Sequence, residues 1–146
     1  MKNDKLIEKL NKNLADLQVL YVKLHNYHWN VKGQHFFGIH NVTEEYYNYF
    51  AEQYDEVAER ILQIGGKPLT TMKSYLENSS IKEEDKKEFS ASDVLNGVKS
   101  DFYYLKNEYT EISKLAEELR DLTTQGIADD NIAWLEKAIW MLDATL

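Results

Sequence analysis

The sequence predicts an all-α protein, a four-helix bundle in which one long connection separates two pairs of helices. Apolar residues recur at alternating steps of three and four along most of the chain, which is the period of amphipathic helices. No segment alternates apolar and polar residues for long enough to form a half-buried strand. Glycines and the single proline interrupt the periodic segments, and two of the three resulting connections are short.

The first predicted helix covers about residues 4–32. Gly33 and Gly38 mark the break after it. Its apolar stripe comprises Ile7, Leu10, Leu14, Leu17, Tyr21, Leu24 and His28. Because His28 continues this stripe, we expect it to face a neighbouring helix. A histidine in such a position is ordinarily a core residue that is hydrogen-bonded to a carbonyl group.

The second predicted helix covers about residues 39–64, and Gly65, Gly66 and Pro68 end it. Its stripe comprises Tyr46, Phe50, Tyr54, Val57, Ile61 and Ile64. Residues 65–90 form the long connection. One apolar group in it, Leu69, Met72 and Leu76, predicts a short extra helix before the charged run KEEDKKE.

A third helix begins near Ser90 or Ser92, either of which suits the N-cap. Its stripe comprises Leu95, Val98, Phe102, Leu105, Tyr109, Ile112, Ala116 and Leu119. We expect Gly126 to interrupt the helical pattern and Asp129 or Asp130 to cap a fourth helix. The stripe of this last helix comprises Ile132, Leu135, Ile139, Leu142 and Leu146.

The connection lengths predict the arrangement of these helices. The short connections make the first two helices, and the last two, antiparallel neighbours, and the long crossover between the pairs is typical of the ferritin-like bundle. Residues 1–146 amount to one domain's worth of chain. The predicted architecture is therefore a single ferritin-like domain with a short extra helix in the crossover between helices two and three.

Composition excludes several classes of function. The chain has no cysteine, so disulfides, thiolate zinc sites and cysteine nucleophiles are excluded. Its net charge of −8 opposes binding to a phosphate backbone. There is no apolar run long enough to span a membrane and no apolar signal-like segment at the N-terminus, so we expect a cytoplasmic protein.

Four ligand-type residues on the second helix form a symmetric pattern: His40, Glu44, Asp55 and Glu59. Each end of the pattern is an i,i+4 pair, and all four positions lie within about a 100° sector of the helix. Glu44 and Asp55 are separated by roughly 16 Å along the axis, at about 1.5 Å per residue. One chain cannot bring both pairs to one ion, whereas two antiparallel copies related by a twofold axis would do so twice.

Less specific interpretations of these residues exist. Glu44 suits a helix N-terminus, and Asp55 and Glu59 are typical of a solvated helix face. However, all four positions lie beside the apolar stripe, where carboxylates at a helix contact require a cation. Imidazole and carboxylate ligands favour iron, zinc or manganese. The chain contains no Glu-x-x-His motif, which argues against a di-iron site inside the bundle.

The segment LHNYHWNVKGQHFFGIHNVTEEYYNYF, followed by DEVAERILQIGGKP, closely resembles the Dps family of dodecameric mini-ferritins. The resemblance extends over almost the whole chain, to the IWML near the C-terminus. It implies a hollow dodecamer with ferroxidase centres at its twofold interfaces. By position, His28, His40 and Glu44 resemble the metal ligands from one subunit, and Asp55 and Glu59 resemble those from its partner.

The resemblance also implies a function. Family members oxidise Fe²⁺, preferably with hydrogen peroxide at a centre that holds one or two irons, store the Fe³⁺ as a mineral and protect against oxidative stress. The alternative is a non-enzymatic protein that binds and compacts DNA. We expect no DNA binding, because the charge is negative and the lysine-rich tail used for this purpose in the family is not seen. A third alternative is a structural shell whose metal site has been lost.

Overall fold

The structure is a computed structural model that describes residues 2–146. Its helices are α1 (Asp4–Asn30), α2 (Phe36–Gln63), α3 (Met72–Asn78), α4 (Ala91–Glu118) and α5 (Leu122–Thr145). No strand occurs among residues 2–146, so the predicted all-α class is confirmed. None of the helices in this range combines the length and apolar character needed to cross a bilayer.

The four long helices form two antiparallel pairs. Asn3 beside α1 donates to the carbonyl of Ile64 at the far end of α2, at 2.9 Å, so the start of one helix lies next to the end of the other. α4 and α5 are also antiparallel, because Lys99 near the start of α4 pairs with Asp143 near the end of α5, and Ser113 donates to Asp129. The pairs join where α1 contacts α4 and where Tyr49 of α2 stacks on Trp134 of α5. Their shared core includes the fully buried Leu14, Leu17, Leu20, Phe50, Phe102, Leu105 and Leu135.

The predicted short helix in the crossover is confirmed as α3. Thr71 caps it, and a capping box joins Thr71 to Ser74. Asn11 of α1 binds the preceding segment by donating to the carbonyl of Lys67 at 3.1 Å and accepting from the amide of Leu69 at 2.9 Å. These bonds attach the crossover to the face of α1.

Buried Asp16 attaches the second half of the crossover. This residue of α1 is fully buried and accepts hydrogen bonds from the Ser79 hydroxyl, the Ser80 amide and the Tyr104 hydroxyl at 2.7–2.8 Å. A buried carboxylate needs such partners to offset its lost hydration. The chain then enters α4 at Ser90, which is the N-cap in a capping box with Asp93.

The start of the last helix was predicted wrongly. α5 begins at Leu122, and its N-cap is Asp121, whose carboxylate accepts from the amide of Thr124 at 3.0 Å. Gly126 and Asp129 lie inside the helix. The first turns of α5 bury small and polar residues (Thr124, Ala128 and Asn131), which an apolar stripe does not detect. Leu146, assigned to the stripe, is 51% exposed.

Candidate metal centre

Two histidines from neighbouring helices lie face to face at the end of the bundle where α1 meets the start of α2. His28 lies in the last turn of α1 and is only 5% exposed, whereas His40 is half-buried in the second turn of α2. Their rings are stacked with centroids 3.6 Å apart and planes inclined by 14°. The ring of Phe36 also stacks on that of His40, with centroids 5.0 Å apart.

Reciprocal hydrogen bonds determine the orientation of both imidazoles. The Nδ1 atom of His28 lies 2.6 Å from the carbonyl oxygen of His40, and the Nδ1 atom of His40 lies 2.8 Å from the carbonyl oxygen of His28. A carbonyl oxygen only accepts, so each Nδ1 carries the hydrogen. In a neutral imidazole this leaves the Nε2 lone pair free, which is the arrangement found in metal-binding histidines whose other ring nitrogen donates to a carbonyl.

The surroundings of His28 favour its neutral form. Burial lowers the pKa of its imidazole below the ordinary value of 6.5, and the neighbouring charge of His40 lowers it further. The hydrogen bond to the His40 carbonyl and the charge of Glu44 oppose this shift without reversing it. A neutral imidazole is the form that binds metals, so His28 is suited to ligation near neutral pH.

Glu44 lies one turn after His40 and is exposed. The hydroxyl of Tyr47 donates to its Oε1 atom at 3.4 Å. Tyr47 in turn stacks on His25 of α1, with centroids 3.8 Å apart. Sequence reasoning missed both Tyr47 and His25, although their positions three residues from Glu44 and His28 place them on the same helix faces.

Asp55 and Glu59 lie at the opposite end of α2. Both are exposed, and both line a surface groove with Glu52, Glu56 and Arg60. Arg60 donates to the carboxylate of Asp121 at 2.8 Å, so its charge is already paired. Within residues 2–146, Arg60 is the only basic residue that lines this groove, and it is paired with Asp121. The groove therefore presents acidic side chains that Arg60 does not neutralise.

The structure brings only some of the predicted ligands together. His28 and His40 are in contact and Glu44 is on the next turn, whereas Asp55 and Glu59 are roughly 16 Å or more away along α2, at about 1.5 Å per residue. Within residues 2–146, no three histidine or acidic side chains are arranged so that they could bind one metal ion. Two imidazoles and three carboxylates nevertheless form a donor set that suits Fe²⁺, Zn²⁺ or Mn²⁺.

The face of α1 that carries His25 exposes two large apolar side chains. Trp29 is 67% exposed and Val22 is 51% exposed on α1. The ring of Trp29 lies 5.4 Å from that of His25. Large apolar side chains exposed on one helix face are typical of a surface that another chain covers.

Comparisons with known proteins agree with this architecture. Residues 7–146 match the model of the Ferritin-like domain family. The "DNA protection during starvation protein" of Helicobacter pylori is 44% identical over 142 residues, covering 97% of this chain and 99% of the relative. The structure of antigen TpF1 from Treponema pallidum superposes with a TM-score of 0.98 at 44% identity, covering 99% of this chain and 93% of that chain.

A Dps structure from Vibrio cholerae O1 superposes with a TM-score of 0.94 at 35% identity, covering 98% of this chain and 89% of that chain. It is described as "a member of a broad superfamily of ferritin-like diiron-carboxylate proteins". At these identities and coverages the similarity extends to the sequence as well as to the helical fold.

Proposed function

The chain belongs to the Dps family of ferritin-like proteins, and from this premise we propose that it is a ferroxidase and iron-storage protein. Its substrates are Fe²⁺ and, preferably, hydrogen peroxide. The Fe³⁺ produced is stored as a mineral inside a hollow dodecamer. The observation that carries this proposal is the His28–His40 pair, in which both Nδ1 atoms are engaged and both Nε2 atoms remain free for a metal.

The proposed centre is shared between two subunits. His28, His40 and Glu44 come from one chain, and Asp55 and Glu59 come from its mate across a twofold axis. The distance between the two groups along α2 supports this assignment, because side chains so far apart on one straight helix cannot bind the same ion. Two antiparallel copies of α2 place each end opposite the other, and the dimer then contains two equivalent centres.

Each ligand has a distinct role in the proposed reaction. The carboxylates of Glu44, Asp55 and Glu59 supply the negative charge that binds Fe²⁺, and they stabilise Fe³⁺ more than Fe²⁺ because they are hard oxygen donors. The imidazoles of His28 and His40 supply neutral nitrogen donors, which moderate that charge. The ligand set therefore favours loss of an electron from the bound iron.

The reaction balances without releasing a radical. Two Fe²⁺ ions each give up one electron to one molecule of hydrogen peroxide. The O–O bond breaks, and with two protons taken from solvent the oxygen atoms leave as two water molecules. Because both electrons reach the peroxide together, no hydroxyl radical is released. The Fe³⁺ ions then take up hydroxide from water and enter the mineral.

An anaerobic Fe²⁺ titration followed by addition of peroxide tests the proposal. The assembled protein should bind Fe²⁺ in a saturable manner and accelerate its oxidation, as followed by the absorbance of Fe³⁺. Asp55→Asn combined with Glu59→Gln should abolish both effects and leave helicity unchanged, because both side chains are exposed. Dioxygen in place of peroxide then reports the oxidant preference.

The matched control removes two other acids from the same groove. Glu52→Gln with Glu56→Gln changes the charge by the same amount and should retain iron oxidation. If this control lost activity as completely as the Asp55 and Glu59 variant, Asp55 and Glu59 would not be specific ligands, and the groove would act only through its overall negative charge. If the wild-type assembly neither bound Fe²⁺ nor accelerated its oxidation, the proposed function would be wrong.

The names of the relatives suggest protection of DNA. For this chain we propose an indirect route, in which removal of Fe²⁺ and peroxide prevents damage. The net charge of −8 opposes direct contact with phosphates. A gel-shift assay with duplex DNA at physiological salt separates the two routes, and tight, salt-sensitive binding would favour direct contact instead.

A further inference from the structure

Tyr47 contacts Glu44, His25 and His28 at the histidine pair, and its ring also lies 5.8 Å from that of Tyr21. Its hydroxyl donates to Oε1 of Glu44 at 3.4 Å. Its ring is perpendicular to that of His28, with centroids 5.2 Å apart. Its face stacks on His25, with centroids 3.8 Å apart and planes inclined by 21°. One side chain thus links a proposed carboxylate ligand to a proposed imidazole ligand.

His25 is itself anchored on α1. Its Nδ1 atom lies 2.7 Å from the carbonyl oxygen of Tyr21, one turn earlier, so Nδ1 donates and the ring orientation is determined. The Tyr21 ring packs edge-on against it at 4.6 Å, and Trp29 lies 5.4 Å away on its other side. His25 therefore presents a stationary face against which Tyr47 stacks.

We propose that Tyr47, supported by the stacked ring of His25, is a positioning residue for the Glu44 carboxylate. Glu44 is exposed, and a free glutamate side chain loses considerable rotamer entropy when it binds a metal. The hydrogen bond from the Tyr47 hydroxyl to Oε1 restricts the carboxylate before a metal binds, and it leaves Oε2 available for the metal. Hydrogen bonds to ligating carboxylates act in this way in other metal sites.

The stack explains why the tyrosine can perform this role. Tyr47 is three residues after Glu44 on α2, so the helix brings the two side chains to one face. Three residues of α1 border the tyrosine ring: His25 stacks on its face, and Tyr21 and His28 make T-shaped contacts with it. His25 is the nearest of them, so the direction of the Glu44 carboxylate depends on α1 as well as on α2. This inference rests on the proposed metal centre.

The test measures metal affinity and coordination separately from turnover. Tyr47→Phe removes only the hydroxyl, and Tyr103→Phe removes the same atom from an exposed tyrosine on α4 as the matched control. Anaerobic Fe²⁺ titration of the assembled protein should show affinity weakened by about tenfold in the first variant. Titration with Co²⁺ should show altered d–d absorption bands in Tyr47→Phe and wild-type bands in Tyr103→Phe.

Two replacements of His25 test the stack. His25→Phe retains a ring against Tyr47, and His25→Ala removes it, so the alanine variant should bind Fe²⁺ more weakly than the phenylalanine variant. Equal affinity in these two variants would overturn the supporting role of the stack. Wild-type affinity and wild-type Co²⁺ bands in Tyr47→Phe would overturn the positioning role. Absence of metal binding by the wild-type assembly would instead contradict the proposed function itself.

Discussion

His28 and His40 each donate a ring hydrogen to the backbone carbonyl of the other, over 2.6 and 2.8 Å. Neither imidazole can rotate without breaking a hydrogen bond, and the two bonds also join the end of α1 to the beginning of α2. The same contact that closes this end of the helix pair therefore determines which nitrogen of each ring is available. The structural role of these two residues thus coincides with the ligand role that we propose for them.

Mixed assemblies should reveal how the proposed ligands are divided between subunits. One variant carries His28→Gln and His40→Gln, and the other carries Asp55→Asn and Glu59→Gln. Each alone should be inactive. In an equal mixture, half of the twofold pairs are mixed and each mixed pair has one complete centre, so about a quarter of the wild-type oxidation rate should return.

Native mass spectrometry provides the control for this experiment by showing that mixed assemblies have formed. If they form and no activity returns, the histidines and the acids do not meet across a subunit boundary. An unmixed blend of the two separately assembled variants should remain inactive.

The metal-free protein should lose stability as the pH falls through about 6.5. Burial lowers the pKa of His28 from 6.5, and the charges of His40 and His25 add to this effect, whereas the hydrogen bond to the His40 carbonyl and the charge of Glu44 oppose it. Below pH 6.5 the His28 imidazole is protonated in the unfolded chain but remains neutral in the folded chain, so the free energy of unfolding decreases as the pH falls. At high pH both states are neutral, and His28 contributes no pH dependence.

Urea denaturation at about pH 7.5 and about pH 5.5 measures this effect, at one protein concentration because assembly also contributes to stability. His28→Gln retains an amide donor but does not titrate, so the loss of stability between these two pH values should be smaller. An identical loss in wild type and variant would show that other groups are responsible.

Gly97 is required by the close approach of Tyr27. A Cβ atom at Gly97 on α4 would collide with the Tyr27 hydroxyl and lie 3.1 Å from its Cζ atom. Gly97→Ala should therefore destabilise the protein by about 1–3 kcal/mol, as overpacking does in other cores. In a Tyr27→Phe background the colliding oxygen is absent, and the same substitution should cost less. Chemical denaturation of all four proteins measures the coupling, and equal costs in both backgrounds would exclude the collision.

Gly126 should behave in the opposite way. A Cβ atom at this position in α5 would meet nothing within 4 Å. Alanine is a better helix former than glycine, so Gly126→Ala should stabilise the protein by about 0.5–1 kcal/mol. The thermal midpoint should rise accordingly. A fall in the midpoint would indicate that another subunit packs closely against this position.

The sequence was most informative where apolar spacing is regular. The predicted second helix, 39–64, lies close to the observed Phe36–Gln63. The starts of α2 and α5 were both predicted too late in the sequence, and for the same reason. Gly38 and Gly126 were treated as interruptions, whereas both lie inside helices. A glycine costs a helix only about 1 kcal/mol, and tertiary packing readily exceeds that amount.

For the candidate centre, the spacing of His40, Glu44, Asp55 and Glu59 predicted a division into two groups, and the single chain keeps those groups apart. The assignment of the five ligands stays a prediction. His25 and Tyr47 were missed because their importance arises from a ring stack between two helices. Such a contact depends on the relative rotation of the helices and on rotamers, neither of which spacing encodes.

The sequence by itself thus determined which helix faces are buried and which residues share a face, because helical geometry relates residue number directly to direction. The tertiary structure alone decided how α1 and α2 present those faces to each other. The stacking of His28 on His40 and the choice of Nδ1 as the donor follow from that packing. The physical reason is that a hydrogen bond between helices requires atoms within about 3 Å, a precision that only the packed core provides.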